Sequence, residues 1–130
     1  MRHHAEGFTG GLVTRSRLPL DYSVASLRVV DSVVEGLRQG NPAPSQVSDL
    51  LLGFGAYLGE VLVRHAGAVW VDFDERERDL FGHSVGVRMP DGRVWNPLGR
   101  VAKRFALGRD QSLHTFYLTL HGRRAHASAA

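Results

Sequence analysis

A chain of 130 residues, 43% hydrophobic and 22% charged, has the length for one domain with one core, burying roughly two-thirds of the surface that the unfolded chain exposes, and lies far from the polar, highly charged compositions of disordered chains. It contains no cysteine, which excludes disulfide staples and thiolate metal sites and leaves stability to the core. The net charge of +3 hides a gradient of 0, −3 and +6: residues 1–65 carry six arginines against six acids, residues 66–83 two against five, and residues 84–130 eight bases against two.

Residues 1–17 read as a flexible amino-terminal segment. Arg2, His3, His4 and Glu6 precede Gly10 and Gly11, with no apolar run of the length a signal peptide needs, so a cytoplasmic location is expected. The first helix is predicted from about Val24 to Gln39, because Val24, Leu27, Val30, Val34 and Leu37 recur at three- and four-residue steps. Ser23 is its expected N-cap, a side-chain oxygen able to accept from an orphan N–H of the first turn. Gly40, Asn41 and Pro42 end it, the first two tolerating a left-handed C-cap and the third breaking the hydrogen-bond ladder.

A second helix is predicted after Ser45, running to about His65, with Val47, Leu50, Leu51, Phe54, Leu58, Val61 and Leu62 on one wide stripe. Its most apolar part, Leu50 to Val63, spans about fourteen residues where a bilayer needs about twenty, so no membrane association is expected. Gly55 and Gly59 lie four apart in this helix. Each costs up to about 1 kcal/mol relative to alanine, which implies close approach by the backbone of a neighbouring element.

After Gly67 the period falls to two: Val69, Val71 and Phe73 alternate with Trp70, Asp72 and Asp74, as in a strand with unlike faces. Asp74 to Gly82, with four acids and two arginines, reads as a solvated loop. Val85, Val87 and Met89, then Pro90-Asp91-Gly92, then Arg93, Val94 and Trp95 read as a hairpin whose Asp-Gly supplies the positive φ of a tight turn. Asn96 caps, and Pro97 starts, a helix that buries Leu98, Val101, Ala102 and Phe105 and stops at Gly108. A last helix from about Gln111 to His121, capped by Asp110, buries Leu113, Phe116, Tyr117 and Leu120. Residues 123–130 read as a disordered tail. The expected fold is thus a single α+β domain over residues 18–122: two N-terminal helices, a three-stranded antiparallel sheet and two C-terminal helices.

Three phrases, Leu20-Asp21-Tyr22-Ser23, Gly55-Ala56-Tyr57-Leu58-Gly59-Glu60-Val61 and Asn96-Pro97-Leu98-Gly99-Arg100-Val101-Ala102-Lys103-Arg104, resemble a group of small uncharacterised bacterial α+β proteins. That group carries a Gly-Ala-Tyr-Leu-Gly-Glu helix and a basic helix started by Asn-Pro. The likeness covers about Leu18 to His121 and departs where Leu98 stands in place of an aromatic after the proline. It implies the α+β fold and carries no established activity, hence no catalytic residue.

Tyr57, Glu60 and Arg64 place a phenol, a carboxylate and a guanidinium on one helix face, a candidate ligand-binding set. The simpler alternative is an i, i+4 ion pair of Glu60 with Arg64 beside a core-edge tyrosine. Asp72, Asp74 and His83 have the ligand types for a metal but no spacing that demands one, so neither metal nor cofactor is expected. His65 and His114 could act as bases, yet no Gly-x-Ser-x-Gly or similar nucleophile signature accompanies them. No phosphate-binding glycine loop is present either, since Gly53-Phe54-Gly55 lies within a helical pattern.

Arg100, Lys103 and Arg104, with Arg93, Arg109, Arg123 and Arg124, form a candidate nucleic-acid surface. No stacking aromatics are interleaved with them, and solvent or the acidic Asp72–Asp79 stretch is the expected partner, which disfavours nucleic acid. The arginine bias, Lys103 being the only lysine, also fits a GC-rich coding sequence. The expected function is a non-enzymatic protein-interaction domain of accessory or immunity type. A small-ligand or enzyme site at Tyr57, Glu60 and Arg64 is the first alternative and nucleic-acid binding through the basic half the second; the oligomeric state is left open.

Overall fold

The computed structural model describes Met1, Arg2, Ala5, Gly7 and residues 20–120. In chain order these form helix α1 (Leu27–Gly40), helix α2 (Pro44–Ala66), strand β1 (Val69–Asp72), helix α3 (Glu75–Phe81), strand β2 (Val85–Arg88), strand β3 (Val94–Trp95) and helix α4 (Pro97–Leu107). A 3-10 turn (Arg109–Gln111) follows, then helix α5 over residues 113–120. The fold is α+β, with a three-stranded antiparallel sheet in the order β1-β2-β3.

Local chemistry explains most boundaries. Ahead of α1, Ser23 Oγ accepts from the Ser26 amide at 3.1 Å and Asp21 Oδ1 accepts from the Ser23 amide at 3.0 Å. The chain therefore turns from Ser23 as expected, although the regular helix begins only at Leu27. Asn41, at φ 49°, is the left-handed C-cap. Helix α2 starts at Pro44, ahead of the start expected after Ser45, with a proline in its first turn. It ends at Gly67, whose φ of 74° lets its amide reach back to the Leu62 carbonyl.

Helix α2 is the axis of the core. Phe54, Tyr57, Leu58, Val61 and Leu62 are fully buried, and Leu27, Val30 and Val34 of α1, Val87 of β2, Val101 of α4 and Leu113 of α5 close around them. By length and composition alone residues 45–66 would suffice for a membrane span, longer than the Leu50–Val63 stretch suggests; most of that apolar surface is covered inside the fold.

The α2–α4 contact is the most extensive between elements, and Gly55 makes it possible. A Cβ there would lie 2.8 Å from Leu98 Cα, so the close backbone approach inferred from the Gly55/Gly59 spacing is met at Gly55. Gly59 instead makes room for the Trp70 indole of β1. Trp70 pairs with Val87 and Val87 with Trp95, so these three form a row across one sheet face. Trp70 packs on α2, whereas Val69 is 54% exposed.

The hairpin turns at Pro90-Asp91-Gly92. The Gly92 amide donates to the Met89 carbonyl at 2.9 Å, with φ 89° at Gly92, a type I turn followed by a left-handed glycine.

Two sequence expectations need correction. Residues 75–81, expected as a loop, form α3 because Asp74 and Glu77 make a reciprocal capping box: the Glu77 amide donates to Asp74 Oδ1 at 2.8 Å and the Asp74 amide to Glu77 Oε1 at 3.0 Å. Asp110 does not cap α5; it lies in the 3-10 turn. Ser112 Oγ accepts from the Thr115 amide at 3.2 Å, and the main cap comes from Asp31 of α1, which accepts from the Leu113 and His114 amides at 2.8 and 3.2 Å. In the 1–17 segment read as flexible, Arg2, Ala5 and Gly7 have helical backbone and Ala5 is fully buried. The tail expected at 123–130 lies outside the described residues.

Candidate functional site

The structure gathers Tyr57, Glu60 and Arg64, and uses them internally. Tyr57 is fully buried and its ring stacks on Tyr22 at a centroid distance of 4.7 Å. The Tyr22 amide donates to Tyr57 Oη at 2.8 Å. Ser26 Oγ lies 2.6 Å from Tyr57 Oη and donates to the Ser23 carbonyl, so the tyrosine hydroxyl proton goes to Ser26. Burial raises the Tyr57 pKa, the contacts with Ser26 and Tyr22 opposing it, and the group is a neutral phenol at physiological pH. Asp21 beside it is held below the usual carboxylate range by its bonds to Ser23.

Glu60 is fully buried. Its Oε1 accepts from Arg2 Nε at 2.9 Å and Arg64 Nε at 3.3 Å, and its Oε2 from Trp70 Nε1 at 3.2 Å. A buried carboxylate needs such company, since an uncompensated charge there costs several kcal/mol. The Arg64 guanidinium also lies 3.8 Å over the Tyr22 ring, so Tyr22 is sandwiched between a tyrosine and an arginine.

His65 Nε2 donates to the Tyr22 carbonyl at 2.8 Å. Tyr22 itself adopts φ 62°, a left-handed conformation that a bulky side chain holds only when its surroundings over-determine it. The bonds from Tyr57 and His65 and the two stacked faces do so. The phrases around Tyr22 and Tyr57–Glu60 are thus two halves of one packed joint.

Arg100, Lys103 and Arg104 do not share an exposed face. Arg104 is 3% exposed. It donates to Asp31 Oδ1 at 3.2 Å, to the Asp31 carbonyl at 3.0 Å and to Glu35 Oε1 at 2.8 Å. The bond from Arg104 holds Glu35 below its usual pKa, burial partly offsetting it. Arg100 stacks over Phe116 at 4.3 Å. Lys103 alone of the three is exposed.

The Asp72, Asp74 and His83 set separates: Asp74 caps α3, and His83 belongs to a different arrangement. Among the described residues no group of three His, Asp or Glu side chains is gathered as a metal ion would require. His114 offers its amide to Asp31.

A surface formation not foreseen from the sequence lies along α4. One cleft, of about 460 Å³, is lined by Leu80, Phe81, His83, Trp95, Asn96, Gly99, Arg100, Ala102 and Lys103. A second shares His83 and Ala102 with it and adds Ser48, Leu51, Leu52 and Leu98. Leu80 is 76% exposed and Leu52 38%, so each leucine borders one of two adjoining clefts, which together form a trough whose lining contains no acid.

Asn96 orients its histidine. Its Oδ1 accepts from the Gly99 amide at 3.1 Å, which fixes the amide group, and its Nδ2 then donates to the Phe81 carbonyl and faces His83 Nδ1 at 3.1 Å each. His83 Nδ1 also lies 3.3 Å from the Phe81 carbonyl. The signals for this face were present but faint: Leu52 falls off the buried stripe of α2, and Asp74-x-x-Glu77 is a helix start that turns Leu80 into a helical, outward residue.

Comparison with known proteins finds no family model, no curated protein and no solved structure that matches this chain.

Proposed function

We propose that the chain is a protein-interaction domain of accessory type that works through the trough along α4. The observation that carries this reading is that exposed Leu80 and Leu52 line two adjoining clefts that share His83 and Ala102, the first with Arg100 and Lys103 and the second with Leu98. Exposed leucines cost little singly, but leucines flanking a common concavity mark a surface that gains from being covered. A polar rim around an apolar centre is the usual anatomy of such a contact.

The competing ligand-site reading at Tyr57, Glu60 and Arg64 is weaker, because the oxygens of Tyr57 and Glu60 already accept bonds from the protein itself. Nucleic-acid binding through Arg100, Lys103 and Arg104 is weaker too, since Arg104 is buried against two carboxylates.

A site-specific photo-cross-linker tests the proposal. Placed at Leu80 or Leu52 in the cell of origin, it should trap a discrete protein species. At Leu107, 62% exposed and so between Leu52 and Leu80 but outside the trough residues, it should trap none. Equal trapping at all three positions, or none at any, rejects the reading.

A further inference from the structure

Glu60 accepts on one oxygen from two guanidinium groups that reach it by different routes. Arg64 comes from the next turn of the same helix, Nε to Oε1 at 3.3 Å, whereas Arg2 comes from outside the helix and makes the shorter contact, 2.9 Å. Trp70 Nε1 donates to the other oxygen at 3.2 Å. The Arg2 side chain is 57% exposed although the carboxylate it meets is fully buried, so Arg2 closes the site from the solvent side. Ala5, three residues on, is itself fully buried and belongs to the core cluster. Its amide donates to the Met1 carbonyl at 3.0 Å, a helical turn that puts Arg2 and Ala5 on one face.

We propose that Glu60 and Trp70 form a guanidinium-binding site whose resident occupant is Arg2, and that Met1–Gly7 is a strap which an arginine side chain from another segment displaces. Residues 8–19 stand in the sequence between Gly7 and the turn that opens at Leu20, so the strap reaches Glu60 as an appended piece. Its departure does not strand the carboxylate. Arg64 and Trp70 still meet Glu60 when Arg2 withdraws, and the core is spared the uncompensated buried charge that would break it. Arg64 already balances that charge, so Arg2 is held by its hydrogen bond and by the burial of Ala5, which is what makes it exchangeable. The ligand class follows from the occupant in place: a guanidinium is planar and weakly hydrated, and it gives up less water than an ammonium on entering such a site. Displacement uncovers Glu60 beside the Tyr22 ring that Arg64 covers.

Nitrogen–proton NMR spectra of the full chain carry the test. Its two tryptophans give two indole signals, that of Trp70 on Glu60 and that of Trp95, whose indole nitrogen has no partner among the described residues. Guanidinium chloride is added well below unfolding concentrations, with sodium chloride at equal ionic strength as the control. The expected result is a saturable movement of the Trp70 indole and Ala5 amide signals in guanidinium that sodium chloride does not produce, with Trp95 responding alike to both salts. Arg2→Ala should keep the circular dichroism spectrum and start near the displaced positions. It should take up guanidinium at a concentration at least about fivefold lower, because no resident occupant has to leave first. Arg2→Lys keeps the charge but loses the planar donor and should fall between the two.

Equal movement in the two salts reduces the contact to screening and overturns the inference. So does an Arg2→Ala chain whose Trp70 and Ala5 signals stay at their wild-type positions, or one that takes up guanidinium no more readily than wild type. Loss of the fold in Arg2→Ala overturns it as well, because a strap has to leave without unfolding the core beneath it.

Discussion

At the scale of single residues, the phrases around Tyr22, Tyr57 and Asn96 are accounted for by packing and hydrogen bonds. Tyr57 fastens the turn before α1 by accepting from the Tyr22 amide and donating to Ser26. Tyr57→Phe keeps the ring stacked but leaves the Tyr22 amide without its acceptor, so urea unfolding should show a loss of about 1–2 kcal/mol. A change below about 0.3 kcal/mol would remove the joint from the list of things holding Tyr22 in its left-handed conformation. The glycines of α1 and α2 make a sharper pair. Gly55→Ala drives a methyl toward the Leu98 backbone and should destabilise by about 1–3 kcal/mol through forced separation of α2 and α4. Gly36→Ala, in the exposed interior of α1 with nothing within 4 Å of the new atom, should instead stabilise by up to about 1 kcal/mol. Thermal melts of the two variants should move in opposite directions, and any other pattern removes the distinction drawn between a contact glycine and a vacant one.

Between elements, one ion-pair network does the joining that local sequence could not foretell. Arg104 of α4 binds Asp31 and Glu35 of α1, and Asp31 in turn caps α5 and accepts from Ser112 Oγ at 2.9 Å, so three helices meet at one aspartate. Arg104→Ala leaves two partly buried carboxylates short of a cation and should cost about 3 kcal/mol. The same network sets an acid limit. Glu35 has its folded pKa lowered, chiefly by the bond from Arg104. Its contribution is therefore complete above the ordinary glutamate pKa and is lost as pH falls below about 4 toward the lower folded value. Urea midpoints for wild type should fall in that window, and Glu35→Gln should fall less; parallel curves would show that other carboxylates carry the acid response. Helices with a repeating apolar face and a capping residue beside them, such as α1, α2 and α4, were legible because their signals lie within four residues. The Asp-Gly hairpin was legible for the same reason. Helix α3 has no apolar stripe, and only its Asp74/Glu77 box betrays it. The α5 cap was illegible because Asp31 lies 82 residues from Leu113. Of the candidate residues, the Tyr57–Glu60–Arg64 grouping followed from helical spacing alone, but the burial of Tyr57 and Glu60 depended on Tyr22, Trp70 and Arg2 arriving from elsewhere.

For the molecule as a whole, charge is distributed as competing surfaces, and this bears on nucleic acid. The carboxy-terminal +6 of the sequence overstates what a phosphate backbone would meet. Arg104 is internal, Arg93 pairs with Asp91 at 2.7 Å, and Arg100 lies flat on Phe116. Asp72, Asp74, Glu75 and Asp79 stay exposed and would repel the same polyanion. Binding to mixed-sequence duplex should accordingly be no tighter than the roughly 10⁻⁴ M of weak non-specific binders at physiological salt. Fluorescence anisotropy across a salt series gives the second number. Each neutralised phosphate contributes about −0.9 to the log–log slope, so a surface offering Lys103 with one or two neighbours should give a slope no steeper than about −2. Lys103→Ala should flatten it by roughly one contact. A steep slope, with affinity that survives physiological salt and vanishes in an Arg100→Ala, Lys103→Ala double variant, would reverse this ordering and make the α4 face a nucleic-acid surface. The buried Arg104 would be a poor third member of that test, because its removal loosens the joint between α1, α4 and α5 before it says anything about phosphate.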